Sequence, residues 1–328
     1  MFNRSKPRRG KNLFARRSLV CAAVGATALT GLTATTASSA VASSTTVGYI
    51  AWNQGVNPFG AALYKGTLKY ANAYGIHLQT VSANGDDATM ISGMQTFMSE
   101  HVKAIVVWPP NETTLAAIVD KASSEGIPVI VENEGLAPGT KYLTLVACDN
   151  FTYGQDEGHM IAAALHGHGT YAIAMGILGN SAEIQRTAGI KSVLKKYPGI
   201  HLVASQSDSW TDAPALSLTQ DWLTKYPTLG AIAFEGPEGV VGAQWARKHG
   251  HGSVKFVLGD YPSFVRPAIE NGEVYGTVNQ DPVTQAQLSM LAAHYILTGQ
   301  EKKIPRPVWN APLPVVTKAN VAKMVPGW

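Results

Sequence analysis

Short apolar runs alternate with amphipathic stretches along the chain from Val47 onward. Runs rich in β-branched and aliphatic residues predict strands at residues 47–51, 77–82, 104–107, 129–131 and 143–146. Between them, apolar positions recur at helical spacing over residues 59–73, 87–100 and 113–124. Gly75, Pro109-Pro110, Gly126 and Pro128 punctuate the exits. Such strict alternation predicts parallel strands joined by right-handed crossovers, with helices on both faces of an open sheet.

The series then repeats. A helix at residues 152–165 leads to strands near 170–175, 201–205, 231–234 and 255–258, with helices at 182–197, 213–226 and 240–249 between them. A short helix (263–271), a strand (274–278) and a last long helix (283–298) follow. Two places break the alternation: the polar loop 132–141, and Asp149-Asn150, which follows a strand without a strong turn signal. Both suit a chain crossing between two domains. The proline- and valine-rich stretch from Pro305 to Trp328 predicts a final crossing and an edge strand.

The first 42 residues change the charge balance. Arg4, Lys6, Arg8, Arg9, Lys11, Arg16 and Arg17 precede an apolar run from Leu19 to about Leu32, and a small-residue tract ends in Ala40-Val41-Ala42. Charged, apolar, small is the order of a cleavable export signal. Arg16-Arg17-Ser18-Leu19-Val20 is a partial twin-arginine pattern, so the twin-arginine and general secretory routes both stay open. Cys21 is a poor lipidation site, because the apolar run follows it. Removing residues 1–42 takes away seven of the 26 basic residues and none of the 22 acidic ones, so the formal +4 becomes −3. The alkaline whole-chain balance therefore gives no support for nucleic-acid binding. No later stretch is apolar for the length of a membrane-spanning helix. Cys148 is the one remaining cysteine, so stability rests on the core.

Candidate chemistry gathers just past the expected strands. Open α/β sheets bind ligands in the crevice outside the carboxyl ends of their strands. The first strand–helix turn places Trp52, Asn53, Asn57 and Phe59 there. Flat apolar faces beside amide donors and acceptors suit a polyhydroxylated small molecule. Trp108 also follows a strand, although Pro109-Pro110 makes a structural role equally good. Trp210 precedes a helix start, where it either staples the helix or meets a ligand, whereas Trp222 and Trp245 are mid-helix and expected to pack. Asp86-Asp87 and Glu100 read as helix-end charges. His166-Gly167-His168-Gly169 and His249-Gly250-His251-Gly252 end helices and precede strands, away from the crevice. A glycine stop with histidine near the negative end of the helix dipole explains them better than a metal site. The sequence holds no P-loop, Gly-x-Ser-x-Gly elbow or dinucleotide-binding glycine fingerprint, so neither catalysis nor a cofactor is expected. A secreted hydrolase acting through Asp260 and Glu235 is the weaker alternative, because nothing pairs them by spacing.

Six short motifs occur in a telling order: Asn57-Pro58-Phe59, Ile127-Pro128-Val129-Ile130, Ala147-Cys148-Asp149-Asn150, Arg186-Thr187-Ala188-Gly189, Gly259-Asp260 and Thr277-Val278-Asn279-Gln280. In order and spacing they resemble the ribose-binding type of periplasmic sugar-binding proteins, whose core is shared with lac-repressor type regulators. A regulator would carry a helix-turn-helix domain where the export signal stands. Residues 312–321 also resemble the branch that binds rhamnose or autoinducer-2.

The resemblance covers nearly all of the chain after the signal. It implies an α/β fold of two doubly wound parallel-sheet (Rossmann-like) domains joined by a three-strand hinge, the type I periplasmic binding protein fold. Residues 43–149 with 281–308 would form the N-terminal lobe, and 150–280 with 309–328 the C-terminal lobe. The same resemblance implies ligand contacts from Asn57 and Phe59 in the first lobe, from Arg186, Trp210 and Asp260 in the second, and from Gln280 at the hinge. Three departures stand out. Asn133 and Glu134 occupy the place of an aspartate–arginine pair, Glu235 and Gly236 that of a second-lobe asparagine, and Gly60 that of a second aromatic. Loss of a rim cation and gain of glutamates argue against ribose itself. Glu132, Glu134 and Glu235 compete to face the ligand.

The function implied is an extracytoplasmic, monomeric receptor. It would capture a monosaccharide or sugar derivative and deliver it to the membrane permease of an ABC importer. A sensor feeding a chemotaxis or two-component partner is the alternative on the same fold.

Overall fold

The structure, a computed structural model, describes residues 46–53 and 57–328. The expected export signal lies outside the described residues. The first sheet contains β1 (Thr46–Ala51), β2 (His77–Ser82), β3 (Ala104–Trp108), β4 (Val129–Glu132), β5 (Thr144–Ala147) and β11 (Val308–Trp309). Its order is β11-β5-β4-β3-β1-β2, and every pairing is parallel. The second sheet contains β6 (His168–Met175), β7 (Gly199–Ser207), β8 (Ala231–Phe234), β9 (Lys255–Gly259), β10 (Gly276–Val278) and β12 (Val315–Thr317). Its order, β12-β10-β9-β8-β6-β7, repeats the first apart from β12, which is antiparallel to β10.

Helices α1 (Pro58–Ala73), α2 (Asp87–Ser99), α3 (Ala116–Ser124) and α9 (Pro282–Leu297) cover the first sheet. The second is covered by α4 (Asn150–Ala164), α5 (Ser181–Leu194), α6 (Asp212–Lys225), α7 (Gly239–Lys248) and α8 (Arg266–Glu270). Central strands are apolar on both faces because helices lie on both. In β3, Ile105 and Val107 join the core beneath α2 and α3, while Ala104 and Val106 join the core beneath α1 and α9. Side chains of Asn57, Asp86, Asp149, Asn180 and Asp281 accept first-turn N–H groups and so start five of the helices. Each such cap contributes about 1 kcal/mol.

Four expectations need correction. Helix α3 starts three residues late, at Ala116, because Asn111 Oδ1 accepts the Thr113 and Thr114 N–H groups and holds a turn there. The loop 132–141 is not a crossing, since β4 and β5 are neighbours in one sheet. The closing stretch forms two edge strands, one for each sheet, rather than one. Trp309 pairs with Ala147, which carries the first domain one residue past 308. The chain crosses between domains at Cys148-Asp149, at Asn279–Asp281 and between β11 and β12. These crossings are tied to one another: Asn310 donates from N to Ala147 O at 2.8 Å and from Nδ2 to Asp281 O at 2.9 Å. Asn279 N donates to Pro314 O at 2.9 Å.

Candidate functional site

The carboxyl ends of β1, β3 and β4 from one sheet, and of β8, β9 and β10 from the other, converge on a cavity of about 330 Å³. Trp52, Asn57, Phe59, Asn133, Glu134, Arg186, Trp210, Asp260 and Gln280 all line it. Asn53 instead borders an adjoining recess with Ser209 and Thr211. Glu235 turns away from the cavity: its carboxylate accepts from Gly176 N at 2.9 Å and Thr187 Oγ1 at 2.6 Å. Of the three competing acids, Glu134 alone lines the cavity, because the Glu132 carboxylate is held by Tyr49 Oη at 3.0 Å on the other side of β4.

Arg186 organises the polar wall. Its Nε donates to Asn150 Oδ1 at 2.9 Å, Nη1 to Glu235 O at 2.5 Å and Nη2 to Gln280 Oε1 at 2.8 Å. The guanidinium lies 3.8 Å over the Tyr153 ring, whose hydroxyl donates to Asp260 Oδ1 at 3.0 Å. Asp260 has a φ of 58° and sits directly after β9. From Gln280 the chain of bonds continues into the first domain, through Nε2 to Asn133 Oδ1 at 2.9 Å and Asn133 Nδ2 to Glu134 Oε1 at 2.8 Å. One network therefore spans both domains at their hinge.

Indole rings form the apolar walls. Trp108 meets Trp52 edge-on at 6.0 Å and Phe59 at 5.8 Å, and Phe59 in turn meets Trp328 at 5.4 Å. Trp210 covers the backbone of Gly176, where an added Cβ would lie 2.1 Å from the indole. Its indole also lies against Gly236, which explains the missing asparagine there: a Cβ would fall 2.8 Å from Trp210 Cδ1 and 2.4 Å from Glu238 Oε2. Gly60 has an equally local cause, since a Cβ would lie 2.0 Å from the Asn53 carbonyl oxygen. Asn57 both lines the cavity and caps α1, accepting Gly60 N at 2.7 Å and leaving its amide N–H groups for other partners. Trp222 packs as expected, donating to Gln206 Oε1, and Trp245 stacks on His249 at 4.2 Å.

Sequence reasoning passed over Glu238, Asp212 and Phe264, which line the same cavity. Glu238 lies four residues past β8, so the rule that placed Glu235 there could have found it. Trp108 needed only the observation that its strand ends at the cavity.

Burial raises the carboxyls around this site. It pushes Glu134 and Glu235 up to about 8, against opposing hydrogen bonds from Asn133 and from Gly176 N. It also pushes Glu132 and Asp208 to about 7 and Asp260 to about 6, the last against the Arg186 charge. Glu238 rises well above the carboxylate range through burial and the Asp208 charge. Each group holds its proton more tightly folded than unfolded. Their stabilisation is thus complete below the unfolded value of about 4 and is lost as pH rises through the folded values. Thermal unfolding of the unliganded protein should therefore give a lower Tm near pH 8 than near pH 5. A Tm that climbs over that interval would contradict the burial of these acids.

Residues 47–301 match a family model described as a periplasmic binding protein domain. A xylitol-binding protein of Mycolicibacterium smegmatis is 31% identical, over 78% of this chain and 73% of its own length. The ribose import binding protein of Bacillus subtilis is 26% identical, over 80% of this chain and 84% of its own. The ABC transporter solute-binding protein of Burkholderia graminis, solved in complex with D-arabinose, aligns with a TM-score of 0.78 at 25% identity, covering 85% of this chain and 97% of that one. A model match that takes in β1 through α9, and so every strand but the two edge strands β11 and β12, together with the 31% identity, shows that the chain belongs to the periplasmic binding protein domain family.

Proposed function

We propose that this protein captures a monosaccharide or sugar derivative in the cleft between its two domains and delivers it to the membrane permease of an ABC importer. The observation that carries this reading is the cavity itself. Indole and phenyl faces from both domains enclose a polar network that ends in Asp260, Arg186 and Glu134. The indole N–H groups of Trp52, Trp108 and Trp210 and the Oε2 of Glu134 are buried without a hydrogen-bond partner. Glu238 Oε1 is a fifth such atom on the cavity wall. Since buried polar atoms are otherwise nearly always paired, five open ones around one cavity anticipate a ligand rich in donors and acceptors. Sugar C–H faces stack on indoles while hydroxyls satisfy those atoms. The names of the xylitol- and ribose-binding relatives point the same way.

The two lobes would be residues 43–149 with 281–309 and 150–280 with 310–328. Closing about the three linked crossings, they bury the ligand and give the permease a liganded shape to recognise. The protein acts as a monomer outside the cytoplasm, exported behind residues 1–42 by the twin-arginine or the general route. A thermal-shift screen of the exported chain against pentoses, hexoses, polyols and sugar acids tests the reading, since a ligand bound only by the native state raises Tm. We expect at least one sugar or polyol to do so, with compaction in small-angle scattering. Tight binding without compaction would overturn the closing step, and silence across the panel would overturn the function.

A further inference from the structure

Charge in the cavity is unevenly matched. Arg186 is balanced within the second domain by Asp260, to which it is linked through the face and hydroxyl of Tyr153. Three of its five N–H groups are already engaged. Glu134 from the first domain feels the Arg186 charge, but burial outweighs it, and Glu238 from the second domain has only the like charges of Asp208 and Asp260 acting on it. Among the described residues, the ion pairs are Lys121–Glu125, Arg266–Glu270 and Arg306–Glu301, none of them at the cavity. Glu134 and Glu238 are 2% and 4% exposed, line the cavity, and each keeps one carboxyl oxygen without a hydrogen-bond partner. Asp208 beside Glu238 and Asp212 on the cavity wall add to the negative side.

Resting on the sugar-capture reading above, we propose that the preferred ligand is an amine-bearing sugar or polyol, whose ammonium group is taken by Glu134 and Glu238. A hydroxyl brings one donor and no charge, so a neutral ligand leaves these buried acids uncompensated or obliges them to keep protons. An ammonium group brings three donors and the missing charge. The indole faces of Trp52, Trp108 and Trp210 attract a cation as well as a C–H face. The remaining hydroxyls meet Asn57, Asp260 and the unspent Arg186 N–H groups.

Calorimetry with matched pairs tests this: D-glucosamine against D-glucose, D-galactosamine against D-galactose, D-mannosamine against D-mannose, and an aminodeoxy-pentitol against xylitol. In the best-binding pair, the amine should bind at least tenfold more tightly than its neutral partner. Glu134→Gln and Glu238→Gln should each reduce that ratio about tenfold, beyond any loss both ligands share, without lowering the Tm of the unliganded protein. A neutral member that binds as tightly as its amine, or a ratio untouched by both variants, overturns the inference and leaves sugar capture standing. Absence of binding by every member of the panel counts against both.

Discussion

Replacing Arg186 with alanine should abolish measurable ligand binding and lower the melting temperature of the unliganded protein. Two of the five guanidinium N–H groups remain for a ligand after the bonds to Asn150, Glu235 and Gln280 are counted. Charge-assisted hydrogen bonds contribute about 1.5–3 kcal/mol each, so losing two weakens binding by roughly a hundredfold to ten-thousandfold. The loss extends beyond direct contact. Gln280 is held by Arg186 on one side and reaches Asn133 on the other, so the alanine variant also cuts the network that joins the domains at the hinge.

Stability falls for a related reason. Asn150 Oδ1, the Glu235 carbonyl and Gln280 Oε1 lose a donor in a buried setting, at roughly 1 kcal/mol or more apiece. Against this stands relief from burying a cation, the lesser term when hydrogen-bonded partners are left behind. Arg186→Lys keeps the charge but cannot reach three acceptors from one planar fork, so it should rescue little of the affinity. Calorimetry with whichever sugar raises Tm reads both variants. A folded Arg186→Ala protein with unchanged affinity would remove Arg186 from the site.

Central strands such as β8, buried at every residue, were legible in the sequence because parallel strands covered on both faces read as short apolar runs, whereas the edge strand β2 has no buried residue and rests on its place in the β–α alternation. β2 and β8 match their expected limits, and most others lie within two residues of them. What escaped depends on partners distant in sequence. Position after β8 makes Glu235 and Glu238 equal candidates, and only the Gly176 amide and the Thr187 hydroxyl decide that Glu235 turns inward. Gly60 is the local exception: the Asn53 carbonyl stands where the Cβ of the expected aromatic would lie. Periodicity alone could not single out Arg186, Asp260 and Gln280, which were named by resemblance. The structure adds how three separated residues are linked, through the ring and hydroxyl of Tyr153 and the Gln280 amide.

Gly154→Ala should be a strongly damaging single-methyl substitution near the site, although it lies on a helix and touches no ligand. Helices α4 and α5 approach each other through glycine. An added Cβ on Gly154 would stand 2.1 Å from the Arg186 carbonyl oxygen, and one on Gly189 would stand 2.3 Å from the Phe151 carbonyl oxygen. Both obstacles are backbone atoms of the facing helix, so no side chain can swing aside. The helices must separate instead. Alanine would gain about 1 kcal/mol of helix propensity over glycine. Overpacking of this severity costs about 3 kcal/mol or more, so the net sign is destabilising. At about 2–4 °C per kcal/mol for a chain of this size, Tm should fall by at least roughly 4 °C. Because the clash falls on Arg186 itself, the guanidinium moves with its backbone and affinity should fall too. Gly252→Ala provides the contrast, since nothing lies within 4 Å of its Cβ position. That variant should match the parent in both Tm and affinity. If Gly154→Ala did the same, the close helix contact that holds Arg186 over the Tyr153 ring would not exist in solution.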